Sequence, residues 1–293
     1  MFATLGRSWQ FAKISYGIIW DFKKLMIFPL LSTIAAAAII ASFVAPLWAS
    51  GTIETWLAFA DEESGTVAST SDQVTMYVTL FLFYFCTYFV MVFFNAALTA
   101  CAMKVVEGET PTIGYGLSMA GKRLPQILGW AFVSALIGVL LEAIENVNEK
   151  VGYFIAAILG SAWTALTYFV LPVVVMEGVG PITAIKRSVS TLKSTWGEAL
   201  IGNFSMGILA FLVIVPAFIV VGLLAATAYT AGNMTLVLIL IALGVLFMVT
   251  ALAASSAADV IFKALLYNHA TGRSVPANID QALFNEAFRR KKE

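Results

Sequence analysis

Six apolar runs, each long enough to cross the hydrocarbon core of a bilayer, constrain this chain more than any other feature. They lie at roughly 25–49, 74–103, 125–145, 152–177, 198–227 and 234–262. A helix needs about 20 apolar residues for that crossing. Lipid offers no partner to a stray backbone amide or carbonyl, so runs of this kind are expected as helices. Leu, Ile, Val, Phe and Ala predominate in them, without alternation of polarity. Composition removes the soluble alternative: 60% of the 293 residues are hydrophobic and 12% charged, against about 25% charged in an ordinary soluble domain. None of the runs has the layout of a cleaved secretory signal, so the N-terminus is expected to be retained.

The charges give an orientation. Arg7, Lys13, Lys23 and Lys24 precede the first run; Lys104, Lys122 and Arg123 lie between the second and third. Lys186, Arg187 and Lys193 lie between the fourth and fifth, and Lys263, Arg273, Arg289, Arg290, Lys291 and Lys292 lie at or beyond the end of the sixth. Of the 17 basic residues only Lys150 falls on the other side, where the 50–73 loop carries Glu54, Asp61, Glu62, Glu63 and Asp72. The positive-inside rule then places both termini in the cytoplasm. The extramembranous segments are too short for a separate soluble domain, which needs roughly 50 residues. Residues 1–293 are therefore expected to form a single polytopic membrane domain.

An internal repeat divides that domain. VEGETPTIGYGLSMAGKR follows the second run and MEGVGPITAIKRSVSTLK the fourth. At an offset of 70, Glu107, Gly108, Pro111 and Ser118 coincide with Glu177, Gly178, Pro181 and Ser188. At an offset of 180, Arg7, Ser8, Lys13 and Gly17 coincide with Arg187, Ser188, Lys193 and Gly197. The expected units are 1–106, 107–176 and 177–271, followed by an amphipathic tail at 272–293. Ile182, Ile185, Val189, Leu192 and Trp196 recur at helical spacing with Lys186, Ser190 and Lys193 opposite; Ile113, Leu117, Ala120 and Leu124 form a second such face. Helices of this type lie flat at the headgroup level. The expected fold class is thus an all-α integral membrane protein: six transmembrane helices in three pseudo-repeated hairpins, each led by a cytoplasmic amphipathic helix.

Few residues in this pattern suggest chemistry. Cys86 and Cys101 share one run, about 22 Å apart along a helix, and His269 is the only histidine. No metal site, cofactor or catalytic residue is expected. Basic residues on the interfacial segments are candidates for anionic-lipid contact: Arg7, Lys13, Lys122, Arg123, Lys186, Arg187 and Lys193. Each contributes on the order of 1 kcal/mol near an anionic leaflet. Asn95 and Asn203 are the candidate polar intramembrane site, with an interhelical hydrogen bond as the ordinary alternative. Glu142 and Glu145 share a helix face at a hairpin tip; a solvated tip with Lys150 as a partner is the ordinary reading, and an outer cation site the alternative. Asp259 and Lys263 fit a simple i, i+4 ion pair. Pro29, Pro46, Pro172 and Pro216 fall inside runs and can kink them where neighbours satisfy the freed carbonyl.

The segments LPVVVMEGVGPITAIKRSVSTLKSTWGEALIGN and IWDFKKLMIFPLLS resemble a family of uncharacterised bacterial inner-membrane proteins. Their layout is similar to the six-helix membrane domain fused to some glycerophosphoryl diester phosphodiesterases. In those fusions the hydrolase is a separate soluble domain that this sequence lacks, so the resemblance transfers no catalytic residue. It implies a bacterial plasma-membrane location and an unassigned function. The expected role is non-enzymatic: lipid interaction, or scaffolding with a membrane-protein partner or a second copy. A transporter or channel for a lipid or small apolar solute is the alternative. No nucleic-acid partner is expected, although the bulk charge, 17 basic against 17 acidic residues, is itself uninformative on partners.

Overall fold

The structure, a computed structural model, describes residues 14–60, 69–145 and 151–272, without the side chains of 60, 194, 196–206 and 209. Among the described residues the chain is helical, with no strand. A helical segment at 14–21 and a 3-10 turn, Lys23–Met26, lead into α1 (Ile27–Ala49). Then follow α2 (Thr52–Ala60), α3 (Thr70–Val106), α4 (Ile113–Lys122), α5 (Leu124–Glu145), α6 (Val151–Leu166), α7 (Val170–Glu177), α8 (Pro181–Thr230) and α9 (Met234–Ala270). Six segments are long and apolar enough to cross a membrane: Lys23–Ala49, Thr70–Val106, Leu124–Glu145, Val151–Glu177, Ala210–Thr230 and Met234–Ala270. The chain is a multipass membrane protein.

Local chemistry explains where these segments depart from the hydropathy boundaries. Span two begins at Thr70 because Ser69 and Asp72 form a reciprocal cap. The Ser69 amide and hydroxyl donate to Asp72 Oδ2 at 3.1 and 2.6 Å, and the Asp72 amide donates to Ser69 Oγ at 3.2 Å. Span six runs past Lys263 to Ala270 because Asp259, one turn earlier, holds that ammonium at 2.6 Å. The long α8 has one non-helical residue, Thr195 (φ −127°, ψ 20°), which separates its first turns from the apolar segment beyond. Span four is two helices. Pro172 has no N–H for the Tyr168 carbonyl and would drive its ring into that carbonyl in a continuous helix. The chain turns at 167–169 instead and restarts at Val170, which puts Pro172 in a first turn where no amide is required.

The chain forms two compact units. Of the described residues, the first takes in those up to Leu30, Ala97–Gly116 and those from Ser190 onward. Its buried side chains include Leu25, Phe28, Leu98, Cys101, Met103, Ile261, Phe262, Leu265 and Tyr267. Gly116 sits where helices press together: a Cβ there would lie 2.7 Å from the Ala97 carbonyl oxygen and 2.8 Å from the Phe28 ring. Tyr16 donates to Ser255 Oγ at 3.2 Å.

The second unit comprises Leu31–Ala96 and Leu117–Val189. Aromatic contacts join its helices: Phe43 meets Phe83 edge-on at 5.6 Å, and Phe81 meets Phe132 at 5.4 Å. Trp130 and Trp163 stack at 5.6 Å and 11° across the α5–α6 hairpin. Such pairs contribute about 0.5–1.5 kcal/mol each beyond their buried area. The Tyr84 ring of α3 lies 3.5 Å from where a Cβ on Gly138 of α5 would stand, with Glu142 one turn on close to its phenol.

Candidate functional site

A polar cluster of the second unit surrounds α7, the short second half of span four. Both ends of this helix are tied down by side chains from other segments. At its start the Phe169 amide donates to Ser188 Oγ at 2.9 Å, with both residues fully buried. A break inside a span exposes backbone donors that lipid cannot satisfy, and Ser188 supplies an acceptor for one of them. At its end Gly178 adopts the left-handed conformation (φ 65°, ψ 26°), and its amide donates to the Val174 carbonyl at 3.0 Å. This is the single-bond glycine cap of a helix C-terminus. Two carbonyls at this end accept side-chain donors from another segment. Arg123 Nε donates to Val175 O and Gln126 Nε2 to Gly178 O, both at 3.1 Å. The Arg123 guanidinium packs where a Gly178 Cβ would stand. A cation at this end also complements the helix dipole. Glu177 forms an ion pair with Arg187, and Pro181 opens α8 against Gly129 at 3.2 Å from a would-be Cβ.

The Glu-Gly of the other described copy lies in the first unit. Gly108 is again left-handed (φ 81°) and lies two residues beyond the end of α3 at Val106. Glu109 pairs with Lys104 at 2.9 Å, and the same ammonium sits 4.5 Å above the Tyr115 ring. Thr112 caps α4 by accepting the Tyr115 amide at 3.1 Å, while its carbonyl accepts Cys101 Sγ at 3.5 Å. Burial raises the Tyr115 phenol above its ordinary value, and the Lys104 ammonium opposes that rise; Glu107, Cys101 and Glu109 add to it.

The candidate basic residues divide into two groups. Arg123 and Arg187 are engaged with the protein, through Val175 O and Glu177. Lys122, Lys186 and Lys193 are exposed, with no carboxylate at ion-pair distance among the described residues. Lys122 and Lys186 belong to the second unit, on the residues beside Arg123 and Arg187; Lys193 belongs to the first. Arg7 and Lys13 lie outside the described residues. Asn95 is half-buried on α3 and is not free of partners. Asn203 is on α8, its side chain outside the description. The two asparagines fall in different units.

Ser188, Gln126 and Tyr84 carry contacts that the sequence reading did not assign. Ser188 had one signal, its recurrence opposite Ser8 and Ser118.

Residues 74–275, more than half of the chain, match the model of a family described as a family of unknown function (DUF6159). No curated protein sequence matches the chain.

Proposed function

On the premise that the chain belongs to the DUF6159 family of unknown function, we propose that it is a non-enzymatic protein of the bacterial plasma membrane that gathers anionic lipid at its basic face. In this reading both termini are cytoplasmic, and α4 and the opening turns of α8 are amphipathic helices lying at the headgroups. They head two of three repeated hairpins. The observation that carries it is the division of charge around α7. Glu177 is taken up by Arg187, and Lys122 and Lys186 are exposed with no carboxylate at ion-pair distance among the described residues. Two such cations add about 2 kcal/mol of attraction to an anionic leaflet.

The test uses the full chain, extracted gently and followed by native mass spectrometry. Phosphatidylglycerol should stay bound under conditions that strip phosphatidylcholine, and Lys122→Gln with Lys186→Gln should weaken its retention about thirtyfold. Equal retention of both lipids, unchanged in the double variant, removes the reading. A second polypeptide in fixed ratio would assign the chain a scaffold role instead.

One observation favours transport of a lipid or small apolar solute: span four is discontinuous. Discontinuous helices line the substrate sites of many transporters. Flux of a fluorescent lipid into proteoliposomes, lost when the break is altered, would support this second reading.

A further inference from the structure

The surroundings of the side chains change at one point along α9. Leu238, Leu243, Leu246 and Leu252 are exposed, whereas Ile261, Phe262, Leu265 and Leu266 are enclosed. The long α3 repeats the change. Val74, Val78, Leu82 and Met91 are exposed, and from Ala96 to Val106 every residue except Lys104 is buried. Water drives apolar side chains together; lipid does not, because its tails are as apolar as leucine. Open apolar side chains therefore mark the stretch of helix that lies in lipid, and the switch to enclosed ones marks where that solvent ends.

The lengths agree with this division. Residues 234–252 span about 28 Å and 74–95 about 33 Å from the helical rise, against about 30 Å of hydrocarbon. With 234–252 filling that layer, the remaining 253–270 of the same helix, about 27 Å more, has no hydrocarbon left to lie in. Three lysines of the first unit mark one level independently. Lys23, Lys104 and Lys263 stand about 40, 45 and 44 Å along their helices from Ala49, Val74 and Met234. Those three starting points share one side of the membrane, because successive spans alternate in direction. A bilayer with its headgroups is about 40–45 Å thick. Lys23 Nζ sits 4.5 Å over the ring of exposed Trp20, and Lys104 Nζ 4.5 Å over Tyr115; Trp and Tyr favour the headgroup level.

We propose that the core of the first unit is a cap outside the hydrocarbon, and that its rim is an interaction surface for phospholipid headgroups. Spans two and six run on past the acyl chains and pack there with residues 14–28. The Tyr16–Ser255 hydrogen bond ties the N-terminal segment to α9, and Phe28 and Ala97 converge at Gly116. The helical segment 14–21 turns Ser15, Ile18 and Ile19 into this core and leaves Trp20 and Asp21 open. Lys23, Lys104 and Lys263 stand at the level of the phosphates. Composition concealed the cap, since 96–106 carries one charged residue and reads as a continuation of its span. The cap needs neither the lipid selectivity assigned to Lys122 and Lys186 nor a particular side of the membrane.

The test measures depth in the full chain, reconstituted in phosphatidylethanolamine–phosphatidylglycerol vesicles. Cys86→Ala removes the competing thiol, and Cys101 is buried. Nitroxides are then placed one at a time at exposed positions, through Leu246→Cys and Ser256→Cys on α9 and Met91→Cys and Glu107→Cys on α3. Collisions with oxygen, which gathers in hydrocarbon, are compared with collisions with a water-soluble nickel chelate. Oxygen should dominate at Leu246 and Met91, and the ratio should invert at Ser256 and Glu107. An oxygen-dominated ratio at Ser256 puts the enclosed half of α9 in hydrocarbon and overturns the proposal; nickel dominance at Leu246 overturns it equally. A lipid carrying nickel on its headgroup distinguishes the rim from a water-filled crevice. Its contact should be strong at Ser256 and weak at Leu246, and no contact at Ser256 refutes the headgroup surface.

Discussion

Ser188 Oγ accepts the Phe169 amide at 2.9 Å, across 19 positions of sequence and out of contact with solvent. One hydroxyl thus stabilises the point at which a membrane span is interrupted. Without this acceptor, the break would leave a donor buried at a cost of about 1–3 kcal/mol. Ser188→Ala should lower the stability of the full chain in micelles by that amount, while Ser190→Ala, an exposed neighbour, should leave it unchanged. Denaturant midpoints for the two variants decide it; equal midpoints would show that the bond contributes nothing.

Gly178 is constrained twice, by its left-handed backbone and by the Arg123 guanidinium. A β-carbon there meets both backbone strain and displacement of the cation that caps Val175. Gly178→Ala should destabilise the chain by about 1–2 kcal/mol from the backbone and cap together. Gly180→Ala, two residues on, enters open space with no positive φ and is the control. Thermal midpoints that move together would contradict this account of the cap.

Glu177 and Arg187 should behave asymmetrically. The carboxylate is 17% exposed and the guanidinium 52%, so removing the arginine takes its counter-charge from the more buried group. Arg187→Gln should therefore cost more than Glu177→Gln, and the double variant should recover part of the loss. A double-mutant cycle read by chemical unfolding measures the difference; strict additivity would mean that the pair is not coupled.

Tyr115 should ionise above the ordinary tyrosine range, because burial favours its neutral form over the opposing pull of Lys104. The sign follows from linkage. A phenol whose pKa is higher in the folded state contributes stability that is complete below its unfolded value, about 10, and is lost as pH rises through the folded value. The ultraviolet titration difference between the wild type and Tyr115→Phe reports that step directly. Lys104→Gln should move it further upward, and a downward movement would refute the assignment of the ammonium as the opposing influence.

The spans were legible because their signal is local: a lipid-crossing helix must be apolar along its own length, whatever its neighbours are. Ser69 and Asp72 were equally local, a reciprocal cap three residues apart, although the hydropathy boundary was drawn at 74. Pro172 marked span four for interruption, but the hydroxyl that makes the break tolerable comes from a later helix. Arg123 had the sequence signature of an exposed interfacial cation. Only the fold shows it closing the end of α7, since that contact depends on the absent Cβ of Gly178. The packing of Tyr84 on Gly138 was illegible for the same reason: it requires α3 and α5 to lie side by side.

The burial of α9 changes along its length. From Met234 to Leu252 nearly every large side chain is open, Val237 being the buried exception; from Ala253 to Asn268 most are enclosed. One continuous helix is therefore exposed to two kinds of selection. Its first half need only be greasy, so Leu, Ile, Val and Phe can drift among one another there at little cost. Its second half must fit a packed interior in which one surplus methylene forces its neighbours aside. Among relatives, change should accumulate on one side of Leu252 and stall on the other, a rate boundary in the middle of an unbroken helix.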